Sequence, residues 1–190
     1  DTGVLDEATK GASFAIHTAA IVGEANTTVS ELKHVNVEGT ENVVNACLNN
    51  GCKRILFTST IDVYGKDRKE AITEETEPKP TDRYGYSKLA AEQAITGSGL
   101  VYTIFRIGDG KNHMAIVHVY DVLDAFMIAV QSDASENQVF NLGDGVAHTQ
   151  EELIDTAAEL LNAKKPERHV SKALVTFLAK KKGLDSDELR

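Results

Sequence analysis

The sequence predicts an α/β protein built on a doubly wound parallel sheet, and three observations carry that expectation. Short apolar runs alternate along the chain with segments of helical period. The run Arg54–Ser59 sets Ile55, Leu56 and Phe57 side by side, the pattern of a strand covered on both faces. That strand runs out into hydroxyls, Thr58-Ser59-Thr60, and after a polar loop a helix opens with Tyr84-Gly85-Tyr86-Ser87-Lys88.

Each element follows from local pattern. Ala12–His17 reads as a buried strand. Residues 29–49 read as a helix with apolar Leu32, Val35, Val43, Val44 and Leu48, and Gly51 punctuates its end. Arg54–Ser59 is the next strand. Residues 66–83 are polar, hold Pro78 and Pro80, and so form a loop. Tyr84–Thr96 is helical, and Leu100–Arg106 is a strand rich in β-branched and aromatic residues. Repeated β-α-β units imply parallel strands with helices on both faces. A further strand is expected near Ala115–Val119. The remainder is more helical: Asp121–Gln131, then Thr149–Asn162 with Thr149 as cap and Glu152 at the capping-box position, then Ser171–Lys182. No internal repeat or low-complexity tract appears.

Composition narrows the function classes. With 190 residues the chain can bury one sizeable core. Its 42% hydrophobic and 26% charged content is ordinary for a globular domain. A net charge of −9 argues against a nucleic-acid-binding face, which needs clustered Lys and Arg. Lys180-Lys181-Lys182 reads as a solvated helix end. Cys47 and Cys52 suggest reduced thiols and a cytoplasmic setting rather than a disulfide framework. No apolar run approaches the roughly 18 residues a membrane span needs. The six histidines are scattered, without the close spacings of zinc ligands.

The Tyr84/Lys88 spacing carries chemistry. Four residues apart on a helix, the two side chains share one face with their Cβ atoms about 5–6 Å apart. A phenol with a pKa near 10 is a poor acid–base group at neutral pH unless a cation favours its anion. Lys88 supplies such a cation, and a hydroxyl such as that of Thr60 would hold a substrate oxygen. Together they form a proton-transfer device for interconverting a secondary alcohol and a ketone. Tyr-x-x-x-Lys alone is a weak signal, expected by chance in roughly a third of chains of this composition, so its context must support it.

That context is an ordered series: Ala12 to His17 running into Thr18-Ala19-Ala20, Asn36-Val37-Glu38-Gly39-Thr40 in a helix, the Thr58 to Gly65 strand exit, the Tyr/Lys helix, His118-Val119-Tyr120-Asp121-Val122, and Phe140-Asn141-Leu142-Gly143. Over essentially its whole length the chain resembles the extended short-chain dehydrogenase/reductase superfamily, including its NAD(P)-dependent epimerase/dehydratase and 3β-hydroxysteroid dehydrogenase-like families. The resemblance implies a Rossmann domain, partial here, over 1–107, and a small, mostly helical substrate lobe over 108–190 that partly returns to the Rossmann core. It implies NAD or NADP as cofactor and reversible hydride transfer. Tyr84 is then the general acid/base, Lys88 lowers its pKa and bonds the nicotinamide ribose, and Thr60 is the catalytic hydroxyl, with Ser59 as runner-up. Thr18, Ala19, Ala20, Val22, Thr58 and Ile107 are the implied cofactor contacts beside Tyr84 and Lys88. His17 reads as a packing residue, and Asn36 as an organiser of helix start and neighbouring backbone.

Two departures from the superfamily pattern matter. No Gly-x-x-Gly-x-x-Gly-like turn follows a first strand, so about two βα units, on the order of 60 residues, are expected to precede Asp1. A second gap is expected near 107–110, where a substrate-binding segment usually lies. In sugar-nucleotide 4,6-dehydratases the strand exit resembles Thr-Asp-Glu; here it is Thr60-Ile61-Asp62, and Ile61 cannot donate a proton. That counts against a full dehydratase and leaves Asp62 either facing substrate or capping the turn. The run Lys164 to Val170 looks more like the hydroxysteroid dehydrogenase and aldehyde-reductase branch, while the Tyr84 to Lys88 core is shared with epimerases. Sugar-nucleotide and sterol-like or small carbonyl substrates therefore both stay open, as does a non-catalytic NAD(P)-binding sensor or scaffold. The resemblance also suggests a homodimer through the helices near 29–49 and 84–96, with a small molecule as the other partner.

Overall fold

Four parallel strands in the order β1-β2-β3-β4 form the sheet of the computed structural model, which describes residues 2–23, 27–65, 71–108, 116–146 and 148–165. The chain enters through α1 (Thr2–Thr9) and reaches the edge strand β1 (Phe14–His17). It continues through α2 (Val29–Leu32), a π-helical stretch (Lys33–Glu38) and α3 (Gly39–Asn49) as one helical run. Next come β2 (Arg54–Thr60), a 3-10 turn (Ile61–Tyr64), α4 (Arg83–Thr96) and β3 (Val101–Ile107). Last are α5 (Val119–Gln131), a short 3-10 turn (Asp133–Ser135), β4 (Gln138–Leu142) and α6 (Gln150–Leu160). No described helix is long and apolar enough to cross a membrane.

The parallel register runs Phe14↔Arg54 through Thr60↔Ile107 to Ile107↔Leu142. Both sheet faces are covered, as the apolar run in β2 requires. On one face Ile55, Phe57 and Ile104 pack with Val44, Cys47, Ala91 and Ile95 of α3 and α4. On the other, Leu56 and Phe105 pack with Phe126 and Ala129 of α5, Phe126 meeting Phe105 edge-on at 4.9 Å between ring centroids.

Local signals explain the helix ends. Thr28 and Glu31 close a capping box on α2, and Thr149 and Glu152 close one on α6 as expected. Gly51 has φ +70°, and Cys52 N–H donates to Cys47 O at 2.9 Å, so α3 ends in a left-handed glycine turn. Arg54, buried in β2, donates to Ala129 O and Ser132 O at the end of α5 and to Ser135 Oγ, and pairs with Glu136.

Four sequence expectations need correction or limits. The first strand begins at Phe14 rather than Ala12, because Gly11 at φ +70° turns the chain just before it. Residues 29–49 are not uniform α-helix, since the π-helical stretch sits in their middle. No strand occupies 116–118, and Val119 opens α5, because His118 accepts a hydrogen bond from Tyr120 N–H and caps that helix. The strand beside β3 is instead β4, which pattern did not single out. The proposed gap at 107–110 falls largely on residues outside those described, as do Asp1, Ser171–Lys182 and the triple lysine.

Candidate active site

Parallel strands bring their carboxyl ends to one edge, and the candidate residues gather there. Thr18, Ala19 and Ala20 leave β1 as exposed, irregular backbone. Thr58 and Thr60 end β2, Ile107 ends β3 opposite Thr60, and Tyr84 and Lys88 occupy successive turns of α4 behind them. Val22 is exposed in the segment after β1. Gly23 next to it lies against Tyr84: a Cβ there would sit 3.7 Å from the Tyr84 Cβ.

Lys88 is the most deeply placed of these residues. It is 2% exposed, its Nζ donates to Thr58 O at 2.6 Å, and it lies 4.0 Å from the centroid of the Phe57 ring. Burial pulls its pKa down to about 8, against a smaller upward pull from the Glu92 carboxylate. The buried Thr58 hydroxyl has no hydrogen-bond partner.

Tyr84 sits in a buried and acidic setting. Its phenol is pushed above the ordinary range, first by burial and then by the Asp62 and Asp82 carboxylates. The Lys88 ammonium is turned onto Thr58 O and the Phe57 ring. Thr60 caps the 3-10 turn by accepting from Asp62 N–H at 3.2 Å. Gly85 lets α4 close on that turn, since a Cβ there would lie 2.6 Å from Asp62 O.

Two buried polar chains fix this edge. Asn36, 1% exposed in the π-helical stretch, accepts from Ile21 N–H, donates to Ile21 O, and donates to Ser87 Oγ, which in turn donates to Tyr84 O. The loop after β1 is thereby tied to the turn that carries Tyr84. His17 meets Thr40 Oγ1 at 2.9 Å, and Thr40 itself donates to Asn36 O. His17 Nε2 must therefore carry the proton and donate. Burial, and then the charge of Lys88, hold that ring neutral by lowering its pKa to about 4.

A further network lies behind Lys88. Glu92 receives Ser59 Oγ–H and two bonds from Arg106, Nε at 3.0 Å and Nη2 at 2.6 Å. Arg106 Nη1 donates to Tyr64 Oη at 2.6 Å, and Tyr64 donates to Asn141 Oδ1 at 3.0 Å. Sequence reasoning missed Glu92, Arg106 and Tyr64. Glu92 and Arg106 leave a local hint each, an acid four residues beyond Lys88 and a lone charge inside the run Val101–Ile107, but neither hint names a partner and Tyr64 leaves none.

Comparison with known proteins places the chain in a family. The model of the 3-beta hydroxysteroid dehydrogenase/isomerase family matches residues 1–100, just over half of the chain. The chain belongs to that family. It is an extended short-chain dehydrogenase/reductase on a Rossmann-type fold. This 3-beta hydroxysteroid dehydrogenase/isomerase family member is 26% identical to an undecaprenol-linked N-acetylglucosamine 4-epimerase of Escherichia coli O157:H7, over 90% of its own length and 61% of that protein. It is 25% identical to a UDP-glucose 4-epimerase of Streptomyces lividans, over 80% of its own length and 61% of that protein. The chain thus spans about three fifths of these two relatives. The structure of MoeE5 in complex with UDP-glucuronic acid and NAD superimposes with a TM-score of 0.77 at 25% identity, covering 87% of this chain and 68% of that one.

Proposed function

We propose that this protein is an NAD(P)-dependent oxidoreductase or epimerase that moves a hydride reversibly at a secondary alcohol or ketone, acting on a nucleotide sugar. One observation carries the reading: Lys88 is buried against the Thr58 carbonyl one turn from Tyr84, beside the hydroxyl-bearing end of β2. Burying an ammonium is costly, and such a group is retained where its charge is used. The epimerase relatives and the NAD- and UDP-sugar-bound neighbour support the substrate class.

Thr18, Ala19 and Ala20 would lie along the dinucleotide, with Thr58 and Ile107 at the strand ends and Lys88 on the ribose. The buried Lys88 ammonium, held at the end of β2 by the Thr58 carbonyl, fits a group that brings its own hydroxyls. NAD(P) held by these residues would supply the hydride acceptor and donor. Tyr84, whose environment keeps its phenol protonated, gives its proton to a ketone oxygen and recovers it when the alcohol is oxidised. Thr60 donates to the same oxygen. Ile61 leaves no acid for water elimination, so Asp62 serves the turn and the field around Tyr84. The part from 108 to 190 would hold the sugar, and the helices near 29–49 and 84–96 would pair two copies.

Incubating the intact protein with NAD and UDP-glucose tests this reading. We expect a sugar epimeric at one carbon by NMR, without net accumulation of NADH. No NAD binding and no conversion of any UDP-sugar would overturn it. The family match favours a second reading, net oxidation of a hydroxysteroid or small alcohol. Stoichiometric NADH release with such a substrate would select it.

A further inference from the structure

We propose that Glu92, clamped by Arg106, is a positioning residue for the Tyr84–Lys88 pair: it fixes the inner face of α4 on the end of β2 and balances the buried ammonium of Lys88. This rests on the proton-transfer reading given above. Tyr84, Lys88 and Glu92 follow one another at four-residue steps and so share one face of α4. The last two are 2% and 3% exposed.

The network reaches the ends of β2, β3 and β4 and the turn after β2. Glu92 takes the hydroxyl of Ser59, which lies between Thr58 and Thr60 on β2. It takes the Arg106 fork from β3, and Arg106 stands opposite both Ser59 and Asn141 in the register. Through Tyr64 Oη the same fork holds the 3-10 turn that Thr60 caps, and it stacks 4.7 Å from the Tyr64 ring centroid. A bidentate guanidinium–carboxylate pair constrains both distance and orientation. Glu92 therefore sets how far α4 stands from the strand ends, and with that the Lys88–Thr58 bond.

The charge has a second consequence. The groups facing Lys88 are Glu92 from its own helix, neutral His17 from β1, and the Thr58 carbonyl and Phe57 ring from β2. Glu92 is the anion among the causes acting on Lys88, and it opposes the loss of charge that burial favours. A purely structural ion pair would bind the layers together without altering when Lys88 titrates.

The test follows Lys88 directly. Intact protein with isotope-labelled lysine is titrated by NMR through neutral and alkaline pH, and the Lys88 signal is assigned by its absence in Lys88→Met. In Glu92→Gln we expect its midpoint to fall by on the order of one pH unit, and the alkaline limb of kcat to move down with it. Glu92→Asp should recover part of both. Should Glu92→Gln not fold, the double variant Glu92→Gln with Arg106→Gln also removes the guanidinium that would be left without its carboxylate, and a smaller fall in the same direction is expected, because a cation leaves with the anion. An unmoved Lys88 midpoint in a folded variant overturns the proposal, as does failure of both variants to fold. Substantial turnover in Tyr84→Phe would instead sink the proton-transfer reading, whatever Glu92 does. Loss of turnover there, with Lys88 unmoved in Glu92→Gln, would sink only the role of Glu92.

Discussion

At the scale of single residues, the site depends on ionisable groups held out of water. His17 titrates near 6.5 when unfolded and near 4 in the fold, because burial and the Lys88 charge disfavour the imidazolium. Between those values the unfolded chain carries the extra proton, so stability is complete above 6.5 and falls as pH drops towards 4. The slope in that window should reach about 1.4 kcal/mol per pH unit from this group. Denaturant unfolding of His17→Gln across the window should show that part of the slope missing, and an unchanged slope would refute it. Lys88 has the same sign of shift, from 10.5 to about 8. Its burial costs stability below 8, and the cost disappears as pH rises from there to 10.5. Lys88→Met should therefore unfold at an equal or higher temperature than the parent at pH 7 while losing turnover and cofactor affinity. Earlier unfolding would make Lys88 a structural residue.

At the scale of elements, the contact between α4 and the turn after β2 positions the chemistry. Gly85 permits it, since any side chain there would press on the Asp62 carbonyl. Gly85→Ala should cost roughly 1–3 kcal/mol, the usual penalty of overpacking, and depress turnover as the turn is pushed from α4. Gly39→Ala is the matched control. Its backbone is helical, and a new Cβ meets only His34 O at 3.8 Å. That substitution should stabilise by roughly 0.4–1 kcal/mol through the unfolded chain. Chemical denaturation of both variants checks the opposite signs. Helices α3 and α6 were legible in sequence, because apolar period, Gly51 and the Thr149/Glu152 capping box are local signals. The π-helical stretch was not, because Asn36 is explained only by what it bonds at Ile21 and Ser87, far away in the chain. β4 was missed for a similar reason: Gln138–Leu142 is short and half-buried, and pairing with β3 is what makes it a strand. Helix α1 was also not foreseen, being eight residues long and docked on α3 by Thr9 and Asn50.

At the scale of the whole molecule, topology turns these local features into a site. Four parallel strands place Thr18, Thr60, Ile107 and Gly143 on one edge, although the sequence spreads them over more than a hundred residues. Tyr84, Lys88 and Thr60 could be picked from sequence because their spacing and order carry chemistry. The Glu92–Arg106–Tyr64 network could not, since its members converge only when α4 packs on β2 and β3. The raised phenol of Tyr84 was equally invisible, because Asp62 and Asp82 reach it from the two ends of a loop. The central claim is that Tyr84 moves the proton while the rest of the edge binds and orients. Paired measurement of NAD affinity by calorimetry and of UDP-glucose turnover, on the intact protein and its Tyr84→Phe variant, tests it most directly. The account predicts nearly unchanged NAD affinity with kcat reduced at least about 100-fold; near-normal turnover in the variant would contradict it.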